Sequence, residues 1–326
     1  MLKKKILYGL NGTGSGHITR AREILPYLEK KYDVDILISG SNNIITSNLN
    51  IKYSFRGFTF SINNKGNVSY LSSFFSNSIL RFLIDIFKLD LKDYDLVISD
   101  FEPISAWASK INNIPSLQLS HQASLYSSYT PRPIKKDYLA EFFIKWFSPC
   151  ESYIGFHFGE YDENIFMPIL RKKIIEAKPN DQGFYVVYLW NYSIDYMVEI
   201  LSNFKEFNFK IFNSNTTRNY NIKNCMILPT SDDDFFNSIL NCTGVICGAG
   251  FELPAEILYL EKRLYVIPIG NQYEQNCNAQ ALIEMGVDSY HKLDKKHLSN
   301  WLNSKRIHIK KIKISDPNNI IDKIEI

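Results

Sequence analysis

Short apolar runs recur along this chain, and between them apolar residues return every three to four positions. The first run, Ile6–Gly9, leads into a glycine-rich loop. Ile18–Lys31 then puts Ile18, Ala21, Ile24, Leu25 and Leu28 on one helical face, and Asp35–Ser39 returns to the strand pattern. LVISD (Leu96–Asp100), a helix around Ala106–Ile111 and PSLQLSH (Pro115–His121) continue the alternation. The same pattern restarts later with a strand at Phe184–Trp190, a helix at Ile194–Asn203 and a strand at Phe207–Asn213. Cys225–Pro229 and Thr243–Gly250 follow as strands, then a helix from about Pro254 and the strand Arg263–Ile269.

Strand–helix–strand alternation with short apolar strands predicts an α/β fold built on doubly wound parallel sheets. Its restart, in a chain of 326 residues, predicts two Rossmann-like domains facing across a cleft. The boundary is expected between Ser152 and Gly183, where strand periodicity lapses and KPNDQG (Lys178–Gly183) marks a turn. We set it at 155/156, giving an acceptor-side domain at 1–155 and a second domain at 156–326.

Composition narrows the function classes. A net charge of +3 with scattered Lys and Arg argues against a nucleic-acid partner. The five cysteines (Cys150, Cys225, Cys242, Cys247 and Cys277) have no zinc-type spacing, which points away from a metal or disulfide framework and toward a reducing, cytoplasmic setting. The apolar run after Lys3–Lys5 is too short for a signal peptide. No run approaches the roughly 20 apolar residues of a membrane span, so any membrane contact is expected to be peripheral.

Three segments carry candidate chemistry. GTGSGHITRA (Gly12–Ala21) puts Gly14, Ser15 and Gly16 at a helix N-terminus suited to an anion, with His17 just beyond as a general base or as a packing histidine. The expected strand ends LVISD and SLQLSHQ bring Asp100, Glu102, His121 and Gln122 to the same cleft edge. Which of His17, Asp100 and His121 serves as base stays open here, and Asp100 also reads as a helix cap. In the second half, Gly248, Ala249 and Gly250 end a strand and open a helix, a setting for a diphosphate. Glu256 is suited to ribose hydroxyls, Asn271, Glu274 and Gln275 follow the next strand, where Glu274 and Gln275 are suited to sugar hydroxyls, and Asn278 is placed to brace that loop.

GAG…E followed by P…GNQYEQNCNAQALIEMG is similar to the donor-binding signature of GT-B glycosyltransferases, including the UDP-glycosyltransferases and the enzyme that adds N-acetylglucosamine to the peptidoglycan lipid precursor. GTGSGHITRA, SDFEPISAWA and IPSLQLSHQ resemble a bacterial and archaeal group of GT-B transferases, so the likeness spans Lys5 to about Gly286 in order. It implies that Gly248–Gly250 meet the phosphates, Glu256 the ribose, and Glu274 with Gln275 the donor sugar. His17, Asp100 and His121 then face the acceptor: a glycan, a lipid-linked molecule or a small molecule. The nucleotide sugar is a substrate, and no cofactor or metal is implied.

Two departures stand out. Leu189-Trp190-Asn191-Tyr192-Ser193 replaces a glycine-rich turn found in many relatives. The Glu-x7-Glu pair of many retaining enzymes is absent, since Leu260 and Leu264 stand where the second glutamate would fall, which favours inversion. A nucleotide-sugar 2-epimerase and a non-catalytic nucleotide-sugar-binding protein use the same frame and are the alternatives. A nicotinamide dehydrogenase lacks its ribose acid, because the second strand ends in Ser39-Gly40-Ser41.

Weaker signals have local explanations. Asp232–Asp234 reads as the acidic first turn of a helix. Tyr70–Lys88 reads as a core or interdomain helix, or as a face for a lipid-linked acceptor. Lys305–Lys313 reads as an edge strand or a solvated end.

Overall fold

A computed structural model describes residues 3–40, 49–57, 61–62, 68–69, 79–304 and 311–324. The first half runs β1 (Lys5–Asn11), α1 (Ser15–Lys31), β2 (Asp33–Ser39), β3 (Ile51–Phe55), β4 (Ser61–Ile62), β5 (Val68–Ser69), α2 (Ile79–Lys88), β6 (Leu96–Asp100) and α3 (Pro103–Asn112). It continues with β7 (Ser116–Ser120), a tight helical turn at Gln122–Tyr126, α4 (Tyr138–Phe147), β8 (Ser152–Phe156), β9 (Ile165–Phe166) and the short α5 (Lys172–Ile175). Seven parallel strands form one sheet in the order β3-β2-β1-β6-β7-β8-β9.

The second half runs β10 (Phe184–Tyr188), α6 (Ile194–Leu201), β11 (Asn208–Asn213), β12 (Tyr220–Ile222), β13 (Cys225–Pro229), α7 (Asp232–Asn241), β14 (Gly244–Gly248), α8 (Glu252–Tyr259) and β15 (Arg263–Ile267). It closes with α9 (Tyr273–Glu284), β16 (Asp288–Ser289), α10 (Lys295–Asn303) and α11 (Pro317–Asp322). Its sheet has the order β12-β13-β11-β10-β14-β15-β16, parallel except for β12.

Each sheet reverses its strand order once among its leading strands, between β1 and β6 in the first and between β10 and β14 in the second. A crevice opens at the carboxyl ends of strands at such a point, because the connecting helices leave toward opposite faces. His17 and Asp100 stand at the first crevice, and Gly248–Gly250 at the second.

The helical faces expected from periodicity are the buried ones. On α1, Ile18, Ala21, Ile24, Leu25 and Leu28 are all buried, at about 1.5–3 kcal/mol for each large side chain. Residue 155 lies inside β8, and the passage between sheets falls between β9 and β10. At the other end α11 returns to the first sheet's side. It packs on α1, and Tyr32 donates to the carbonyl of Ile324 at 3.1 Å. We therefore propose a first domain that takes in β9 and α11, with the second running from β10 through α10.

The acidic run Asp232–Asp234 opens α7, where Ser231 caps the helix by accepting from Asp234 N. Of Tyr70–Lys88, residues 70–78 lie outside the described residues, and the rest is α2, which packs on α3 but leaves Leu80 and Phe87 exposed. Residues 305–310 also lie outside them; 311–316 form no strand, and Ile312 is buried.

Candidate active site

The glycine loop after β1 is held from below. Asn11 accepts from Thr13 N and Oγ1 and donates to the Phe101 carbonyl, so the ends of β1 and β6 are tied together. Gly14 caps α1 without a side-chain hydrogen bond, which leaves the N–H groups of the first turn to a ligand or water. One turn in, His17 Nδ1 lies 2.7 Å from Asp100 Oδ1. The carboxylate fixes the ring with its proton on Nδ1, and among the described residues Nε2 has no hydrogen-bond partner.

Asp100 is fully buried, yet it stays ionised. Burial works to raise its pKa, but Arg20 and His17 outweigh burial and hold the carboxyl below its ordinary value. Arg20 follows His17 by three residues on the same face of α1. It reaches Asp100 through Nε (3.1 Å) and Nη2 (2.6 Å), and with Nη1 it bonds Glu252 at the start of α8. One buried guanidinium thus joins a carboxylate of the first sheet to one of the second. The two helix starts meet closely: a Cβ added at Gly16 would lie 3.0 Å from Glu252 Cγ. Burial pushes the Glu252 carboxyl up to about 7 against the pull of Arg20, with Asp100 and Glu256 adding to the rise.

His121 sits beside this cluster in a different condition. Nδ1 meets the Phe156 carbonyl at 2.7 Å and Nε2 meets Asn278 Oδ1 at 2.8 Å. Asn278 is oriented by its own donation to the Ala249 carbonyl, so both ring nitrogens face protein oxygens and neither is open to a substrate. The ring stacks on Phe251 at 4.0 Å. Burial lowers its proton affinity, against the opposing pull of Glu274 at 3.7 Å. His121 is therefore a strut between the two halves, and Asn278 braces the glycine loop after β14.

On the donor side, nothing lies within 4 Å of a Cβ built on Gly250, so its backbone is open to approach, while Gly248 backs onto Gln275. Phe251 caps α8 with no side-chain hydrogen bond, leaving a second helix N-terminus unfilled. Ala249 is buried, and its carbonyl is the one held by Asn278. Gln275 accepts from Ile269 N and Glu274 accepts from Gln122 Nε2, which spans the cleft. Asn271 turns the chain with a φ of 62° and is exposed.

Glu256 stands in the second turn of α8. It is buried, and Arg171, just before α5, donates to both its oxygens at 2.6 Å. Burial raises its pKa and Arg171 opposes the rise. After β10, Ser193 spends its hydroxyl capping α6, and Trp190 is exposed.

Sequence reasoning brought His17 and Asp100 together but missed Arg20, Glu252 and Arg171. For Arg20 the signal was present in its helical spacing from His17. Arg171 had none, since its partner lies 85 residues away.

A glycosyl transferase family 1 model matches residues 4–305. Among solved structures, the kitacinnamycin glycotransferase is 11% identical over 92% of this chain and 90% of its own, with a TM-score of 0.66. MurG of Acinetobacter baumannii is 13% identical over 98% of both chains, with a TM-score of 0.61. UGT2 of Phytolacca americana, solved with UDP-2-fluoro-glucose and pterostilbene, is 10% identical over 98% of this chain and 92% of its own, at 0.59. At such identities the likeness is one of fold, the GT-B fold of two facing α/β domains. A search of curated protein sequences returns no significant match.

Proposed function

This chain belongs to glycosyl transferase family 1 and is a glycosyltransferase of the GT-B fold, and from that premise we propose that it moves a sugar from a UDP-linked donor to an acceptor hydroxyl, with inversion and without a metal ion. The observation that carries the reading is the 2.7 Å contact of His17 with Asp100, which leaves Nε2 open beside the unfilled start of α1. Nε2 takes the acceptor's hydroxyl proton as the oxygen attacks the anomeric carbon. The bond from that carbon to the phosphate oxygen breaks, and the diphosphate leaves with the electron pair. Asp100 stabilises the imidazolium that forms, as buried carboxylates do beside catalytic histidines.

The leaving diphosphate is assigned to the Gly248–Gly250 loop and the first turn of α8, whose free N–H groups supply positive potential where charge develops. Gly14, Ser15 and Gly16 border the acceptor on the opposite side. Asn271, Glu274 and Gln275 are assigned to the donor sugar. Glu256 is assigned to the ribose, with Arg171 holding the carboxylate from one side; each carboxylate oxygen retains a second acceptor site. His121 braces the cleft, so of the three candidate bases we choose His17. The absence of a Glu-x7-Glu pair supports inversion. Five free thiols, four of them buried, support a reducing, cytoplasmic setting. The acceptor class at this level is a glycan, a lipid-linked molecule or a small molecule.

Calorimetric titration with UDP, GDP, CDP and TDP and their sugars, in the presence of a chelator, tests the donor assignment. Binding of UDP species alone is expected; a folded protein that binds none of them refutes it. Acceptor-dependent turnover separates transfer from epimerisation.

A further inference from the structure

Helix α4 is amphipathic in the reverse sense from most surface helices. Of its ten residues only Ala140 is fully buried, against Leu125, Tyr273 and Cys277. Its outer face carries Tyr138, Leu139, Phe142, Phe143 and Trp146, all exposed, and Ile134 stands fully exposed in the loop before it. Leu139 is 66% and Phe142 55% exposed, so this is uncovered apolar surface and not the edge of a core. The Phe142 and Trp146 rings lie 5.9 Å apart and Trp146 stacks on Trp107 of α3, which ties this end of the patch to the neighbouring helix.

Its charge is mostly positive. Lys135, Lys136 and Lys145 are exposed around the apolar side chains, and Lys110 lies over the Trp146 ring at 4.5 Å. The acids on the same segment are occupied: Asp137 caps α4, and Glu141 is held by Arg132 and by the Tyr273 hydroxyl.

We propose that this face docks on an anionic membrane surface, with the aromatic side chains entering the headgroup region and the lysines meeting lipid phosphates. Aromatic and aliphatic side chains ringed by lysine suit a soft, negatively charged apolar boundary. A second copy of this chain suits it poorly, because a two-fold contact would set the same lysines against each other. No helix among the described residues is long and apolar enough to cross a membrane.

The patch also adjoins the cleft. Residues Gln122–Tyr126, which begin directly after His121, pack on α4, and Tyr273 at the start of α9 reaches Glu141. Docking there sets the cleft mouth close to the lipid headgroups. Together with the glycosyl-transfer reading above, on which this step rests, it makes the acceptor a hydroxyl carried by a membrane lipid. The docking itself rests on the surface alone.

The test is co-sedimentation of the full chain with phosphatidylcholine vesicles, with and without phosphatidylglycerol, at low and high salt. Binding that requires phosphatidylglycerol and weakens with salt is expected. A Leu139→Ser/Phe142→Ser variant should lose at least about tenfold in partitioning, and Lys135→Glu/Lys136→Glu a similar factor. Both variants change exposed side chains, and unchanged unfolding curves and UDP-sugar affinity would show that fold and donor site are intact. Absence of binding by the parent chain, equal binding by parent and variants, or a lipid-free dimer abolished by the apolar double variant would each overturn the proposal. None of these outcomes bears on donor binding, which is measured separately.

Discussion

Replacing Arg20 with methionine keeps the length and apolar stem of the side chain but removes the charge on which two carboxylates converge. Arg20 and Asp100 are both essentially unexposed, and Glu252 is 19% exposed. The variant loses two bonds to Asp100 and one to Glu252, and leaves Asp100 with His17 as its remaining side-chain hydrogen-bond partner. Breaking a buried pair from one side costs about 3–5 kcal/mol, most of it the penalty of the stranded charge. Arg20→Met should therefore destabilise the chain by about 4 kcal/mol, and Asp100→Asn by a similar amount. The two should not add. Once Arg20 is gone, neutralising Asp100 relieves the stranded charge, so the double variant should cost well under the sum, with a coupling of about 2–3 kcal/mol. Urea unfolding of the four proteins at neutral pH measures this. A cost near zero for Arg20→Met, or additivity within about 0.5 kcal/mol, would refute the reading of Arg20 as the charge that holds Asp100 ionised.

Three further outcomes follow from the same geometry. His17→Ala should lower kcat by about 10²- to 10⁴-fold while leaving donor affinity by calorimetry within about twofold; loss of both together would point to a binding role. Glu252 has a folded pKa of about 7 against an ordinary 4.5, so its contribution to stability is full below pH 4.5 and is lost as pH rises to about 7. The loss is at most about 3–4 kcal/mol, and Glu252→Gln should flatten that slope in unfolding experiments across the window; an unchanged slope would place the titration elsewhere. Gly250→Val enters open space and should change stability by no more than about 0.5 kcal/mol, yet weaken UDP binding at least tenfold by blocking the diphosphate. Unaltered UDP affinity would move the donor away from that loop.

The fold was legible because parallel strands buried on both faces read as short apolar runs, and one face of α1 repeated its apolar positions through about three turns. Strand β8 was obscured: Gly155 interrupts SYIGF, and its missing Cβ is needed because one would lie 2.6 Å from Ser124 N. The site was legible where local backbone makes it, in the two glycine loops and in the residues just beyond them. It was illegible where partners come from far along the chain. Nothing near Glu256 announces Arg171, and nothing near His121 announces that Asn278 and Phe156 occupy both its nitrogens. A histidine at a strand end reads the same whether its ring nitrogens are open or covered by protein oxygens, so only the three-dimensional arrangement separates His17 from His121.

The central claim is inverting transfer from a nucleotide sugar with His17 as base. It is tested most directly by following isotope-labelled UDP-sugars by NMR with a membrane-lipid acceptor extract and a chelator. The account predicts a product whose anomeric configuration is opposite to the donor's, formed by the parent chain and not by His17→Ala. A product of retained configuration, an epimerised UDP-sugar formed without acceptor, or full activity in His17→Ala would contradict it.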